Sequence, residues 1–238
     1  SKLKKLKKIA QMTKQVNKSA ENKNMYVITI DGPAGSGKST IAKIVAEKLN
    51  IAYINSGEAY RAIAFYMQAN GIAPTNTTGV KLLLESNDFT MGYSEGRQFT
   101  KINGIDITDY LHSNNINSIV SQYAKITEVI YKASEMIQSI PKDSSVVIEG
   151  RNVGSFCFPN ADYKFFIDCE VKIRAKRRFD EMIAKGENVD FDAIYKQIIE
   201  RDVLDRTRKI APLIVPENSV LIDTSCQTPD QVAQTIVD

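Results

Sequence analysis

The sequence predicts an α/β fold with a parallel sheet covered by helices on both faces. The first observation is a series of short runs rich in β-branched residues without helical spacing. The second is that helical spacing of apolar residues returns between these runs, so strands and helices alternate. Five runs are typical of buried strands: residues 27–30, 51–54, 145–149, 164–168 and 220–223.

A glycine-rich loop separates the first strand from the first helix. Gly32, Gly37, Lys38 and Ser39 have the spacing G-x-x-x-x-G-K-S, and helical spacing continues from Ile41. Glycines let backbone N–H groups at a helix N-terminus wrap a polyphosphate, whose charge the lysine neutralises. The serine hydroxyl can join the coordination shell of Mg²⁺. The loop therefore predicts nucleotide phosphate binding but does not fix the reaction.

Two further turns at strand ends carry polar residues. Ser56-Gly57 follows the second strand, and Arg61 lies one helical turn beyond it. The third strand runs into Glu149-Gly150-Arg151-Asn152. Ligands of parallel α/β sheets bind at the carboxyl ends of strands, so both turns are candidates for ligand contacts.

The middle of the chain, residues 75–115, changes character. Short alternating pieces and an Asn103-Gly104 turn predict a small antiparallel insert. His112, the only histidine of the chain, lies at its end, so the sequence offers neither a histidine-based triad nor a histidine metal cluster. Residues 116–140 then predict one long helix, which Pro141 helps to end.

The densest group of charges lies between the fourth and fifth strands. Two arginine-bearing helices are separated there by a hinge-like segment, residues 185–188. Such charges usually lie on a solvated face, but a nearby polyphosphate gives arginines a use. On a closing lid they neutralise a transferring phosphoryl group and exclude water. The charged residues are Arg174, Lys176, Arg177, Arg178, Arg201, Asp202, Asp205, Arg206, Arg208 and Lys209.

Composition and charge restrict the other classes of protein. Three scattered cysteines without a C-x-x-C pair argue against disulfides and zinc, and we expect a reducing, cytoplasmic location. No apolar run approaches the length of a membrane span, and no signal-peptide pattern is present. Residues 1–24, a basic N-terminal extension, carry eight lysines and one glutamate, which gives +7 and leaves −4 for the remainder. This extension is either an amphipathic helix for anionic lipid or nucleic acid, or a solvated segment, which we favour.

From about residue 25 to 238, the chain resembles the bacterial cytidylate (CMP) kinases, which are nucleoside monophosphate (NMP) kinases of the P-loop class. The resemblance implies a three-layer α/β/α fold with a five-stranded parallel sheet, an inserted NMP-binding domain over 82–115 and a helical lid over 178–207. It also implies a monomer that transfers a phosphoryl group from ATP to CMP and dCMP, with Mg²⁺, in pyrimidine metabolism. The supporting motifs are Ser56-Gly57, Tyr60-Arg61, Asn103-Gly104, Asp106-Ile107-Thr108, Val120-Ser121, Glu149-Gly150-Arg151, Val153-Gly154, Glu200-Arg201-Asp202, Asp205-Arg206, Arg208 and Ala211-Pro212-Leu213.

The same resemblance implies the roles of particular residues. The ATP phosphates would be bound by Gly32, Pro33, Ala34, Gly35, Ser36, Gly37, Lys38, Ser39 and Thr40, with Ser39 as the Mg²⁺ ligand. The acceptor nucleotide would be bound by Ser56, Arg61, Ser121, Arg151, Asn152, Arg201, Asp205 and Arg208. Catalysis would rest on Lys38, Arg151, Arg178 and Arg206. No general base is expected, because the second pKa of the acceptor phosphate is about 6.

Three positions depart from the family pattern. Asn55 and Asn152 replace aspartates, and Ile130 replaces an arginine, for which Lys125 or Lys132 could substitute. A carboxylate accepts hydrogen bonds only and favours the amino group of cytosine, whereas an amide can also donate to the carbonyl of uracil. We expect weakened discrimination against UMP. The alternatives are a nucleotide-binding protein with degraded catalysis, and an adaptor that works through the lysine-rich extension.

Overall fold

The computed structural model describes residues 25–140 and 144–238, and a parallel sheet lies at its centre. The described strands are β1 (Val27–Asp31), β2 (Ala52–Asn55), β3 (Phe89–Ser94), β4 (Arg97–Ile102), β5 (Ile105–Asp106), β6 (Val146–Gly150), β7 (Tyr163–Asp168) and β8 (Val220–Asp223). Five of them form the central sheet in the order β2-β6-β1-β7-β8, and each neighbouring pair is parallel. The five predicted strands agree with these to within one residue at each end, so the predicted parallel sheet is confirmed.

Helices cover both faces of this sheet. Those described are α1 (Lys38–Leu49), α2 (Gly57–Ala69), α3 (Thr77–Ser86), α4 (Asn114–Tyr123), α5 (Thr127–Gln138), α6 (Val171–Ala184), α7 (Phe191–Thr207) and α8 (Pro229–Val237). Val147 of β6 joins the apolar core beneath α1 and α8, and its neighbour Ile148 joins the core beneath α2 and α5. Successive residues of a strand point to opposite faces, so one buried strand supplies both cores. The predicted three-layer α/β/α arrangement is confirmed.

Strands β3, β4 and β5 form a separate antiparallel sheet. Asn103 and Gly104 make its second turn with φ of 50° and 80°, which is the left-handed region that these two residues tolerate best. The side chain of Gln98 in β4 accepts from the Asn55 amide (2.8 Å) and donates to the Asn55 carbonyl (3.0 Å). The antiparallel sheet is thereby attached to the end of β2. The limits 82–115 for an NMP-binding insert stay a prediction.

The prediction of one helix over residues 116–140 is wrong. Helix α4 ends at Tyr123 and α5 begins at Thr127, because Ile126 adopts an extended conformation with ψ of 127°. The Tyr123 hydroxyl donates a hydrogen bond to the carbonyl of Ile72 (2.6 Å), which anchors the C-terminal end of α4. Apolar residues of α4 and α5 belong to one core, so the spacing of apolar residues in the sequence did not reveal the break between the two helices. Pro141 lies outside the described residues, as does the extension 1–24.

Helices α6 and α7 pack against each other, and Arg174 of α6 contacts the Ala34 carbonyl of the glycine-rich loop. The turn between them contains Gly186 with φ of 79°, within the hinge-like segment predicted at 185–188. Phe179 and Phe191 pack edge to face, and Tyr195 stacks on Phe191, so the pair has a small core of its own. The limits 178–207 for a lid stay a prediction.

Candidate active site

The strands β2, β6 and β1 end at one cavity. Strand register sets this position, since Asn55 pairs with Glu149, and Asp31 pairs with Gly150. The loops that follow these strands therefore meet at the carboxyl edge of the sheet. The cavity is lined by Lys38, Ser39, Asn55, Ser56, Gly57, Tyr60, Arg61, Val120, Ala124, Glu149, Gly150, Arg151, Asn152, Arg201 and Arg208.

The glycine-rich loop has the backbone shape of an anion-binding cradle. Gly37 has φ of 88° and precedes α1, whose first N–H groups face the loop. A Cβ at Gly32 would collide with the carbonyl oxygen of Ile167 on β7, so only glycine fits there. All nine predicted ATP-binding residues, 32–40, lie in this loop and the first turn of α1, and two of them line the cavity.

Lys38 is buried at the floor of the cavity. Its Nζ donates to the carbonyl of Pro33 within the loop (3.3 Å). Burial, followed by the positive charge of Arg151, lowers the Lys38 pKa from 10.5 to about 7, against the opposing effect of Glu149. A polyphosphate in the cradle would supply the negative charge that this ammonium lacks.

Ser39 and Glu149 form an oxygen pair beside the cradle. The Ser39 hydroxyl donates to Oε1 of Glu149 (2.7 Å), and the Tyr53 hydroxyl approaches the same oxygen (3.3 Å). Hydroxyl and carboxylate oxygens are the ligands that Mg²⁺ prefers in proteins, so these residues fit that ion. Ser39 was predicted as the metal ligand, whereas Glu149 was predicted only as part of a turn that contacts a ligand. The sequence shows an acidic residue at the end of a strand, but only the pairing of β6 with β1 brings it to Ser39.

Two half-buried arginines in the cavity have buried donor atoms that are unused. Among the described residues, Nε of Arg61 and both Nε and Nη2 of Arg208 have no hydrogen-bond partner. Burial lowers the pKa of both arginines. Nη1 of Arg61 donates to Oδ1 of Asn117 (2.6 Å). Buried donors without acceptors are rare, and their presence here indicates a site for an anion.

Asp205 organises the other cationic side chains of the cavity. Its Oδ2 accepts from Nε of Arg151 (3.1 Å) and from Nε of Arg201 (3.2 Å). Burial raises the Asp205 pKa, but Arg151, Arg201 and Arg208 outweigh burial and hold it below its ordinary value. The carboxylate is therefore ionised at neutral pH and fixes two of the arginines in place.

Of the other predicted site residues, some line the cavity and others do not. Ser56 and Asn152 line the cavity, whereas Ser121 lies on α4 beside the lining residue Val120 but is not itself in the lining. Arg178 and Arg206 are exposed and lie outside the lining residues. Their catalytic roles stay predictions.

The three departures from the family pattern also differ in position. Asn152 is buried, and its Nδ2 donates a long hydrogen bond to the Ala211 carbonyl (3.4 Å). Oδ1 of Asn55 accepts from the Gly57 amide (2.9 Å) at the start of α2. Ile130 is buried in α5 and is not a lining residue.

Asp31 lies beneath the cavity and was not identified from the sequence. Its carboxylate accepts from the backbone amides of Val153 (2.8 Å) and Gly154 (2.7 Å). Burial raises its pKa to about 6, although these hydrogen bonds, Lys38 and Arg151 favour the ionised form. Asp31 thereby fixes the segment that follows Arg151 and Asn152.

A phosphate cradle at the end of a central parallel strand, with an arginine-lined cavity beside it, defines a P-loop kinase. The family model described as cytidylate kinase matches residues 28–238. The chain belongs to the cytidylate kinase family. Curated relatives named cytidylate kinase come from Clostridium botulinum (strain Langeland), 42% identical over 88% of this chain and 94% of the relative, and from Shouchella clausii, 40% identical over 90% and 95%. Another, from Caldicellulosiruptor bescii, is 36% identical over 89% of this chain and 93% of the relative.

Membership of this family makes the chain a nucleoside monophosphate kinase, as the sequence predicted. In the part of the chain that the structure describes, no helix has both the length and the apolar character needed to cross a membrane.

Proposed function

We propose that this protein transfers the terminal phosphoryl group of ATP to CMP, and also to dCMP, to give ADP and CDP or dCDP. One observation carries the proposal: the unused guanidinium donors of Arg61 and Arg208 face a cavity that also contains Lys38 of the phosphate cradle. One end of this cavity suits a nucleoside triphosphate, and the other suits the phosphate of an acceptor. The names of the relatives support CMP as that acceptor.

The chain's side chains position two phosphates and neutralise their charge. Arg151 donates through Nη1 to the Gly32 carbonyl (3.2 Å) and through Nε to Asp205, so its guanidinium lies between donor loop and acceptor arginines. The acceptor oxygen is already ionised near neutral pH, so no side chain needs to remove a proton. The single histidine, His112, pairs with Glu58 and is not a lining residue. Positioning and charge stabilisation therefore account for catalysis.

Ser39 and Glu149 would hold Mg²⁺, Ser39 through its hydroxyl and Glu149 through its carboxylate. A bound Mg²⁺ neutralises charge on the donor phosphates. Tyr53 hydrogen-bonds to the same carboxylate oxygen and helps to orient Glu149.

Asn152 supports relaxed selection between CMP and UMP. Its Nδ2 is held by the Ala211 carbonyl at 3.4 Å, which leaves Oδ1 to accept from the amino group of cytosine. Because that hydrogen bond is long, the amide can rotate and donate to the carbonyl of uracil instead. An aspartate at this position could only accept. We therefore propose activity with UMP as a second acceptor.

The testing experiment measures ADP formation with ATP, Mg²⁺ and each of CMP, dCMP, UMP and AMP. We expect turnover with CMP that Lys38→Ala abolishes, and a ratio of kcat/KM for CMP over UMP that Asn152→Asp increases by at least about tenfold. Equal ratios in the two proteins would remove the selectivity proposal. Absence of turnover with every acceptor, while ATP still binds, would favour degraded catalysis or a role for residues 1–24.

The remaining features of this proposal concern surroundings and partners. The three cysteines are unpaired, which supports a reducing cytoplasm and agrees with nucleotide metabolism there. A net charge of −4 outside residues 1–24 is unfavourable for nucleic-acid binding by the kinase domain. We propose a monomer whose partners are the two nucleotides, with residues 178–207 acting as the lid.

A further inference from the structure

Arg174 is a fully buried arginine outside the nucleotide cavity. It lies in the first turn of α6 and is 1% exposed. Its Nε donates to the Cys169 carbonyl (2.9 Å), and Nη1 donates to the Ala34 carbonyl of the phosphate cradle (2.9 Å). Nη1 and Nη2 also donate to the two carboxylate oxygens of Asp202 on α7. One side chain thus joins the cradle, the start of α6 and the C-terminal half of α7.

Helix α7 carries Asp202 between residues of the acceptor site. Arg201 precedes it and lines the cavity, and Asp205, one turn later, accepts from Arg151 and Arg201. Asp202 instead contacts Arg174 and is not a lining residue. The two aspartates thus connect α7 to two different arginines of the surrounding structure, Arg151 and Arg174.

The two aspartates make parallel connections to the cradle. Asp205 is connected through Arg151 to the carbonyl of Gly32, and Asp202 is connected through Arg174 to the carbonyl of Ala34. Arg151 lines the cavity, so it can also contact a phosphate bound there. Arg174 is not a lining residue, so it can act only by connecting the cradle to Asp202.

We propose that Arg174 and Asp202 are positioning residues that couple the donor cradle to the acceptor arginines on α7 and at its C-terminus. The inference rests on the proposed function, because it requires two nucleotides at one cavity. When ATP orders the cradle, the Ala34 carbonyl fixes Arg174, and Arg174 fixes α7 through Asp202. CMP then meets Arg201 and Arg208 already in place and binds more tightly. By thermodynamic linkage, CMP improves ATP binding by the same factor.

The test separates coupling from stability. Replacing a buried ion pair by apolar residues of similar volume often preserves folding, so the main variant combines Arg174→Met with Asp202→Leu. The Kd of CMP is measured by calorimetry on the full chain, with and without a non-hydrolysable ATP analogue and Mg²⁺. In the unmodified protein we expect the analogue to tighten CMP binding at least about fivefold. In the double variant we expect the analogue to tighten CMP binding less than about twofold. The CMP affinity of this variant without the analogue should change less than about threefold.

A matched control uses the exposed pair Lys176–Asp180 on the same helix. Asp180→Asn should keep the coupling factor of the unmodified protein. A second variant, Arg174→Lys, keeps the buried charge but lacks the forked donors that reach Ala34 and Asp202 together, so it should also lose coupling. If a folded Arg174 variant kept the tightening of CMP binding by the analogue, the inference would be overturned. It would also be overturned if the analogue did not tighten CMP binding in the unmodified protein. Both outcomes would leave the proposed function standing. Failure of the unmodified protein to bind CMP would refute the proposed function together with the inference.

Discussion

The low pKa of Lys38 predicts that ATP binding takes up a proton. Burial and Arg151 lower this pKa from 10.5 to about 7, so much of the free protein carries a neutral Lys38 at neutral pH. The triphosphate brings several negative charges next to the amine, which favours the ammonium form. Binding and protonation are therefore linked, and ATP affinity should fall as pH rises above 7.

The size of this effect follows from the pKa. With a pKa of about 7, roughly half of Lys38 is neutral at pH 7 and roughly nine-tenths at pH 8. ATP should therefore take up about 0.5 proton at pH 7 and about 0.9 proton at pH 8. Only about a tenth of the protein is already protonated at pH 8, so ATP affinity should be about tenfold weaker there than at pH 6.

Titration calorimetry measures this uptake directly. The heat of ATP binding is compared at pH 8 in two buffers that differ in ionisation enthalpy, and the slope gives the number of protons. Lys38→Arg is the control, because arginine stays protonated at this pH and its uptake should be near zero. That control retains Asp31, the other buried group with a raised pKa. Uptake below about 0.2 proton in the unmodified protein, or equal uptake in the control, would refute the reasoning.

Three further results are expected from single substitutions. In a metal titration, Glu149→Gln should raise the Mg²⁺ concentration for half-maximal activity at least about tenfold, because an amide is a weaker ligand than a carboxylate. A change under about twofold would contradict the role of Glu149 as a Mg²⁺ ligand. In steady-state kinetics, Arg208→Lys should raise the KM for CMP about tenfold or more, because the unused guanidinium donors are lost. The KM for ATP should stay within about twofold of that of the unmodified protein. Equal effects on both KM values would contradict a role of Arg208 in acceptor binding. Asp31 has a pKa raised from 3.8 to about 6, so its contribution to stability is present at acid pH and is lost as pH rises through 6. The unfolding free energy of the unmodified protein relative to Asp31→Asn should fall by roughly 2 kcal/mol between pH 4 and pH 7 in urea titrations, and a difference that does not change with pH would exclude this carboxyl as the source.

The glycine-rich loop and the five strands could be predicted because each is encoded locally. Gly32 and Lys38 lie six residues apart, and the β-branched runs need no knowledge of distant partners. Glu149 and Asp31 could not be assigned in this way. Their positions depend on the register of β6 beside β1, which pairs Asp31 with Gly150 and brings Glu149 to Ser39. Register is set by packing of the whole sheet and is not visible in either strand alone.

The arginines of α7 show a different limit. Arg201, Asp205 and the C-cap residue Arg208 follow at intervals of four and three residues, so they share one face, from which Arg201 and Arg208 line the cavity. Arg206 is one residue beyond Asp205 and therefore points about 100° away, into solvent. Helical spacing alone therefore separates Arg206 from Arg201, Asp205 and Arg208. The burial of Arg174 is different, since it depends on contacts with Ala34 and Asp202 that only the folded chain provides.

The bond between Gln98 and Asn55 has a consequence for hydrogen exchange. Strand β2 is the outer strand of the central sheet, so the amide of its last residue would ordinarily face water. Here that amide donates to the side chain of Gln98 in the antiparallel insert. Deuterium can therefore replace this proton whenever the insert leaves the end of β2, even while the sheet remains intact. The Asn55 amide is thus a single-proton reporter of local opening beside the cavity, separate from global unfolding.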